Sequence, residues 1–534
     1  MNEEIAEYYE ELYRLYIDEN QPLERRYRQL RESLERVVRE RIQGNSLQIT
    51  DLAARINYVA TQYELDIKEQ NQLHTFRLTS NDILNHRKFP AKEEFLRDLR
   101  AVAFAYRKMF AQDIPLKLFS VLPKQEITSL GKKEKKEYIR RIRVCFDYAD
   151  DTYLYVHPVD IIADEPIRVV YNKPGINHEF EETIKELWRY AQLNLLDVFV
   201  DREGIYTPSF IVLEPDYLID ISSLAECYKD YGSHPANYFL SRLVPIDNAR
   251  PLLLGNIANL FLDEWIHAGE EEPDYIDCMK KAFRQYPIEL AACAELRDPS
   301  KEKEFAKDCR MHFEHIRDIV QHTFLEPGYN LDKKDAVLEP SYICEALGIQ
   351  GRLDYMQRDM SSFIEMKSGK ADEFSIQGKV EPKENNKVQM LLYMAVLEYS
   401  MGQDRRRMHP YLLYTRYPLL YPARASWAQV RRVINLRNRI VAAEYGVQFH
   451  NHSDFTRNLL AQINPEVMNE RKLRGRFWEQ YLKPSISRFR EKLSALEPLE
   501  QAYFYTLYNF ITKELYTSKS GDVDYEGRAG ASRS

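Results

Sequence analysis

Residues 348–370 have the sequence GIQGRLDYMQRDMSSFIEMKSGK, and residues 385–399 have the sequence NNKVQMLLYMAVLEY. The first segment predicts β-strands at about 350–357 and 362–367, because two apolar runs flank a polar turn. The second segment predicts a helix over 386–400. Strands followed by a helix in this way are typical of an α/β domain, which is the predicted fold class.

Two acidic residues, Asp354 and Glu365, lie on these neighbouring strands, one on each. Adjacent strands of a hairpin can hold both carboxylates side by side, where they repel each other unless a cation lies between them. Carboxylate oxygens are hard ligands that suit Mg²⁺ or Mn²⁺. The sequence therefore predicts a divalent metal site with Asp354 and Glu365 as ligands.

Lys367 follows Glu365 by two residues, so both side chains project from the same face of a strand. From there the ammonium group can orient or deprotonate a water molecule and offset negative charge on a phosphate. A divalent cation lowers the pKa of a bound water from about 15.7 towards about 7. Phosphodiester hydrolysis is therefore the expected reaction.

The Glu-x-Lys pattern alone carries little information, because it also occurs elsewhere, at Glu134/Lys136, Glu381/Lys383 and Glu470/Lys472. An isolated aspartate is likewise most often a turn or salt-bridge residue. The prediction depends on the order of the whole set, which continues through Ser-Gly-Lys to Gln389 and Tyr393. These two residues share one helix face, although a core Tyr beside a surface Gln is the simpler interpretation of that pair alone.

This ordered set resembles the motif of the RecB-like nucleases of the PD-(D/E)XK superfamily, which is Asp, then Glu-x-Lys, then Gln-x-x-x-Tyr. The resemblance implies a restriction-endonuclease-like core, a mixed sheet flanked by helices. In such a core Asp354 and Glu365 would bind metal and Lys367 would assist the water. Gln389 and Tyr393 would contact the DNA strand. The implied activity is metal-dependent hydrolysis of DNA, on single-stranded ends or flaps.

A wider resemblance covers about residues 117–525. The order of its segments is similar to that in the nuclease half of the eukaryotic-type replication ATP-dependent helicase/nucleases, a family of flap-trimming enzymes. These segments are residues 208–228, then 251–265, then the motif segment, then 410–440. This resemblance implies an OB-like barrel beside a tunnel for single-stranded DNA at 117–215, and a helicase partner. The chain has no Gly-x-x-x-x-Gly-Lys-Ser/Thr loop, so the helicase would lie in a longer chain or in a separate protein.

The helix before the motif departs from the family pattern of Gly-Thr-x-x-His-Glu-x-x-Gln. Residues 255–263 read GNIANLFLD, so Asn259 stands where the family has a metal-facing His. Because asparagine is a poorer ligand, either Asp263 supplies an oxygen from the same helix face or the metal has fewer protein ligands. His315 is a rival ligand. Asn259 also favours the alternative function, a catalytically inactive nuclease-fold scaffold that binds DNA for a helicase.

Many relatives hold an iron–sulfur cluster with one Cys before the nuclease core and three after it. Cys227 matches the first position, but no cysteine follows Cys344. No iron–sulfur cluster is therefore expected, and Cys227 is predicted to be a buried thiol. The cysteines form no Cys-x-x-Cys pair, which is typical of reduced thiols in a cytoplasmic protein.

The chain has 534 residues, of which 44% are hydrophobic and 30% charged, as in a folded protein of about two to four domains. Its net charge of −8 disfavours a nucleic-acid partner on average, but the charge of a local site can differ from the mean. The N-terminus is acidic and the longest apolar run is interrupted, so neither a signal peptide nor a membrane span is predicted. The expected location is the cytoplasm.

Four regions are predicted along the chain. Residues 1–116 form a helical N-terminal region and residues 117–215 a β-rich OB-like region. Residues 216–480 form the nuclease core, with a helical insertion near 268–335. Residues 481–534 form a helical segment that ends in a polar tail.

Several basic residues can contact the DNA backbone, although a basic run is usually a solvated surface. They comprise the stretch 131–143 (GKKEKKEYIRRIR) and the residues Arg352, Lys370, Arg431, Arg432 and Arg437. Each of these five, judged singly, is more often an ordinary surface charge.

Overall fold

The computed structural model describes the residues 3–42, 49, 51–124, 137–160, 163, 165–243, 250–374, 379–424, 426–449 and 453–520. The chain divides into two compact units, of which the first comprises 1–216, 441–452 and 508–534 and the second 217–440 and 453–507. Both units contain helices and strands, so the chain is a mixed α/β protein, as predicted. From residue 521 on, the predicted polar tail lies outside the described residues.

The described part of the first unit begins with six α-helices, and the second of them carries its buried side chains at spacings of three and four residues. They are α1 (Glu3–Ile17), α2 (Leu23–Ile42), α3 (Leu52–Gln62), α4 (Ile67–Leu84), α5 (Lys92–Phe110) and α6 (Leu116–Phe119). Asp51 caps the first turn of α3, and Asp66 forms a capping box with Glu69 on α4. Tyr27 of α2 packs edge-on against Phe95 of α5, with ring centroids 5.2 Å apart.

A sheet follows in the same unit. Its strands are β1 (Tyr138–Ala149), β2 (Tyr153–Pro158), β3 (Ile167–Val170), β4 (Gln192–Val200), β5 (Tyr206–Thr207) and β6 (Phe210–Leu213), with the short helix α7 (Glu181–Lys185) before β4. The long β1 pairs with both β2 and β4, and the other pairings are β2–β3, β3–β5, β5–β4 and β4–β6.

Part of the predicted basic stretch lies on β1. Arg143 donates to Asp216 at 2.7 Å and to Asn194 at 2.9 Å, so its charge is paired with a carboxylate of the same unit. Residues 131–136 of this stretch lie outside the described residues, and the prediction of phosphate contact is untested there.

The second unit contains most of the later helices, while α15 and α19 contribute residues to both units. These helices are α8 (Ile221–Ala225), α9 (Ala236–Leu243), α10 (Arg250–His267), α11 (Tyr275–Gln285), α12 (Pro287–Ala292), α13 (Pro299–Gln321), α14 (Glu384–Met401), α15 (Trp427–Phe449), α16 (Ser453–Ala461), α17 (Pro465–Met468), α18 (Lys483–Ser494) and α19 (Pro498–Ser520). Phe313 of α13 packs against Phe261 and Trp265 of α10, at centroid distances of 5.3 and 5.7 Å. None of the helices in the described ranges is both long and apolar enough to cross a bilayer.

The strands of the second unit form three sheets in the described residues. They are β7 (Ile219–Asp220), β8 (Ala336–Leu338), β9 (Ser341–Cys344), β10 (Ile349–Arg352), β11 (Tyr355–Gln357), β12 (Ser362–Lys367), β13 (Asp372–Phe374), β14 (Lys379–Glu381), β15 (His409–Tyr414) and β16 (Leu419–Pro422). The main sheet has the order β16-β15-β12-β11-β8, in which only β12 and β15 run parallel. The order β7-β10-β9 defines a second sheet, and β13 pairs with β14.

The predicted single strand at 350–357 is wrong, because it divides into β10 and β11, which belong to different sheets. The preceding extended segment divides likewise into β8 and β9, which also belong to different sheets. Both breaks meet at one place, where Glu339 N–H donates to the Asp354 carbonyl at 3.0 Å. Glu339 has a φ of 49° and precedes a proline, so a regular strand cannot continue through it.

The prediction that Arg437 lines a path for DNA is wrong. Its side chain is fully buried and donates to the carbonyl oxygens of Gly348, at 3.1 Å, and Tyr217. A buried guanidinium needs such acceptors because an unpaired buried charge is costly. Arg437 is therefore a structural residue of the second unit.

Gly348 provides a test of this packing. It has a φ of 65°, and a Cβ at this position would lie 2.6 Å from Arg437 Cζ. We expect Gly348→Ala to lower the free energy of unfolding by about 2 kcal/mol or more, from backbone strain and overpacking together. Urea denaturation measures the change.

Gly402→Ala is the matched control, because Gly402 has a φ of 73° and no atom within 4 Å of its ideal Cβ. It should show only the cost of the backbone conformation, about 1 kcal/mol. Equal losses in the two variants would contradict the structural role given to Arg437.

Candidate active site

Glu365 and Lys367 lie on β12, at the centre of the main sheet. Lys367 Nζ lies 2.8 Å from Glu365 Oε1 and 2.9 Å from Gln389 Oε1. Gln389 Nε2 donates to the same Glu365 Oε1 at 2.6 Å. These three side chains therefore form a closed triangle of hydrogen bonds, which we call the Glu–Lys–Gln triangle.

The helix α14 supplies Gln389 and Tyr393 to the same region. Tyr393 donates its hydroxyl hydrogen to the backbone carbonyl of Arg352, next to the motif aspartate. Both side chains are buried, with exposed fractions of 6% for Gln389 and 1% for Tyr393. In this structure they contact other residues of the site, and their contact with a DNA strand stays a prediction.

Asp354 lies between β10 and β11, opposite Glu365 if the β11–β12 register is continued by one residue. Its Oδ2 accepts a hydrogen bond from Met366 N–H at 2.6 Å. Burial raises the pKa of Asp354, and the nearby Glu339 carboxylate raises it further. The structure thus brings together Asp354, Glu365, Lys367 and Gln389.

The charges of the site are strongly coupled. Burial, with repulsion from Asp354, raises the pKa of Glu365 to about 8. Burial by itself would lower the pKa of Lys367, but the Glu365 carboxylate outweighs it and the pKa is raised. The two groups are therefore coupled: the ammonium form of Lys367 and the ionised form of Glu365 favour each other, and a nearby cation would favour ionisation of Glu365 further.

Asp263 lies on α10, on the helix face that also carries Asn259 and Gly255. Gly255 is close to the end of β12, since a Cβ there would lie 3.4 Å from Ser368 Oγ. The pKa of Asp263 is raised to about 6 by burial and by repulsion from Glu339 and Asp354. Asp263 therefore lies near the acidic side of the site, and its role as a metal ligand stays a prediction.

His315, the rival metal ligand, has a different partner. Its Nδ1 lies 3.0 Å from the backbone carbonyl oxygen of Thr415, after β15. This nitrogen is therefore hydrogen-bonded to the backbone, and not to the carboxylates of Asp354 and Glu365.

The residues of the site fit a hard divalent cation. Glu365 Oε2 is buried and has no hydrogen-bond partner within the part of the chain that the structure describes. A cation would satisfy this oxygen and reduce its repulsion from Asp354. Among the described residues, no group of three His, Cys, Asp or Glu side chains is arranged to hold a metal ion.

Sequence reasoning missed one acidic residue, Glu339. It lies at the break between β8 and β9, and its Oε2 is 3.1 Å from Arg352 Nη1. The sequence signal was the Glu-Pro step, because the residue before a proline is restricted and a strand is easily interrupted there. Glu339 lies near Asp354 because the segments 336–344 and 349–357 both pass from one sheet to the other at this place. No local sequence pattern indicates this crossing.

Cys227 is buried, as predicted, and its thiol donates to the Ser223 carbonyl at 3.2 Å. Burial raises the pKa of this thiol to about 12. All six cysteines are free and buried. Cys227 is therefore an unreactive thiol at neutral pH.

No protein-family model and no curated protein matches this chain.

The raised pKa of Asp263 predicts a pH-dependent stability. Folding holds this pKa at about 6, above the value of about 3.9 in an unfolded chain, so the protein loses stability as the pH rises between these values. Asp263→Asn removes this cost. In EDTA we expect the variant to be more stable by about 1–2 kcal/mol above pH 6, after discounting for partial exposure, and equal below about pH 4.

Urea denaturation across this pH range measures the effect. Asp359→Asn is the control, because the N–H and hydroxyl of Ser361 lower the pKa of Asp359 and reverse the expected sign. A gain for Asp263→Asn that does not change with pH would show that charge repulsion is not its cause.

Proposed function

We propose that this protein is a metal-dependent DNA nuclease that hydrolyses phosphodiester bonds, on single-stranded ends or flaps. One observation carries the proposal. The Glu–Lys–Gln triangle lies beside Asp354 and leaves Glu365 Oε2 buried and without a hydrogen-bond donor among the described residues. A paired carboxylate site with an unsatisfied oxygen and an adjacent ammonium group is suited to hydrolysis of a phosphodiester.

Asp354, Glu365 and Asp263 are the residues that would hold Mg²⁺ or Mn²⁺. A bound cation would supply an acidified water molecule and neutralise charge on the phosphate. The raised pKa of Lys367 favours its ammonium form, which would offset charge on the phosphate and donate hydrogen bonds instead of acting as a base. Gln389 fixes the direction of the Lys367 ammonium group.

The sheet order supports the proposed RecB-like, PD-(D/E)XK type of core. A mixed sheet carries Glu365 and Lys367 on β12, with Asp354 directly before β11, and β12 runs parallel to β15. The pairing of β1 with both β2 and β4 supports the proposed OB-like region in the first unit. A helicase partner and a cytoplasmic location are further parts of the proposal and follow only from the sequence resemblance and composition.

A cleavage assay tests the proposal. The full chain should cleave end-labelled single-stranded and flap DNA in Mg²⁺ or Mn²⁺ and lose this activity in EDTA. Asp354→Asn and Lys367→Ala should each lower the rate by about a thousandfold or more, since each removes a group that stabilises the transition state. DNA binding should persist in both.

Asp359→Asn and Lys334→Ala are matched controls, because they remove exposed charges of the same types outside the site. They should cleave like the wild type. Undiminished cleavage by Asp354→Asn and Lys367→Ala would exclude this site as the source of the activity.

The alternative is an inactive DNA-binding scaffold, which Asn259 favours because it replaces a better metal ligand. Calorimetric titration with Mn²⁺ separates the two functions. If the protein is a nuclease, the wild type should bind Mn²⁺ and the Glu365→Gln variant should lose this binding. Absence of Mn²⁺ binding in the wild type, together with retained DNA binding, would support the scaffold.

A further inference from the structure

The ion pair between Arg352 and Glu339 stands at the edge of the site and has no role in the function proposed above. Arg352 is the last residue of β10, two residues before Asp354, and its backbone carbonyl accepts the Tyr393 hydroxyl. The backbone N–H of Glu339 donates a hydrogen bond to the carbonyl oxygen of Asp354. Both residues are therefore held firmly by their main chains beside the motif aspartate.

The side chains of this pair remain accessible. The exposed fractions are 60% for the Arg352 side chain and 39% for that of Glu339, at an Nη1–Oε2 distance of 3.1 Å. Exposed ion pairs are weak, typically worth less than about 1 kcal/mol. An incoming phosphate can therefore displace the Glu339 carboxylate, because a guanidinium binds phosphate through two parallel hydrogen bonds.

The acidic side chains around Arg352 explain why a cation is needed there to bind a phosphate. Asp263, Asp354, Glu339 and Glu365 place four carboxylates in one region, and a DNA strand entering it carries further negative charge. Lys367 is already engaged by Glu365 and Gln389. Arg352 is the exposed cation nearest along the chain to Asp354.

We propose that Arg352 binds a backbone phosphate of the substrate strand and that Glu339 is a positioning residue that holds the free guanidinium at the site until the phosphate replaces it. This inference rests on the proposed function, because it assigns the phosphate ligand of the same site. It predicts opposite effects for the two partners: loss of Arg352 weakens DNA binding, and neutralisation of Glu339 strengthens it.

The test measures binding of a fluorescent single-stranded oligothymidylate to the full chain in EDTA, over a range of salt concentrations. Arg352→Ala should raise Kd about tenfold and reduce the slope of log K against log salt by about 0.7, the loss of one phosphate contact. Arg352→Lys should keep most of that slope. Glu339→Gln should lower Kd about two- to threefold, since it removes a competing carboxylate.

Arg358 provides the matched control. It forms an exposed pair with Asp335, at 4.0 Å, and lies directly after β11, at the end away from Asp354. Arg358→Ala should bind like the wild type. In Mg²⁺, Arg352→Ala should raise KM for cleavage more than it lowers kcat, as expected for loss of substrate binding.

Unchanged Kd and salt slope in Arg352→Ala would overturn the inference, as would weaker binding by Glu339→Gln. Loss of Mn²⁺ affinity in Glu339→Gln with unchanged DNA binding would also overturn it, since Glu339 would then act on the metal. A wild type that binds DNA but does not cleave it would refute the nuclease proposal, while the binding comparison would still decide the role of Arg352.

Discussion

The site depends on one constraint, the burial of the Glu365 carboxylate in the centre of a sheet. A buried charge is stable only when it is paired and hydrogen-bonded. Here a single oxygen receives both Lys367 and Gln389, so the ammonium and the amide must both be present and correctly oriented. The strand β12 fixes the first of these groups and the helix α14 fixes the second. The other oxygen remains available for a ligand from outside the chain.

Asp354 and Glu339 lie near this carboxylate because both of their chain segments cross there from one sheet to the other. Because β10 ends before Asp354 and β11 begins after it, the Asp354 side chain is free to accept the Met366 N–H instead of following a strand ladder. The same crossing brings Glu339 to the site from the adjacent strand pair. A continuous strand at 350–357 would have supplied the aspartate without this fourth acid.

The features that were predicted from the sequence are those with local causes. The spacing of Glu365 and Lys367 on a strand, the helix that carries Gln389, and the position of Asp263 one turn after Asn259 all follow from the periodicity of one element. The role of Glu339 and the burial of Arg437 depend on residues distant in the chain. The breaks in the predicted strands were missed because apolar alternation continues across them, while only the Glu339–Pro340 step indicates an interruption.

The crossing also has a consequence for insertions and deletions. The strands that meet at it tolerate them poorly, whereas other parts of the second unit tolerate them well. One residue added to β8, β9, β10 or β11 would invert which side chains face inward and separate the backbone pairs that join Glu339 to Asp354. The segment of α11 and α12 has exposed turns, where insertions cost little. Evolution can therefore lengthen those turns, whereas the spacing around the crossing is fixed for any descendant that retains the chemistry.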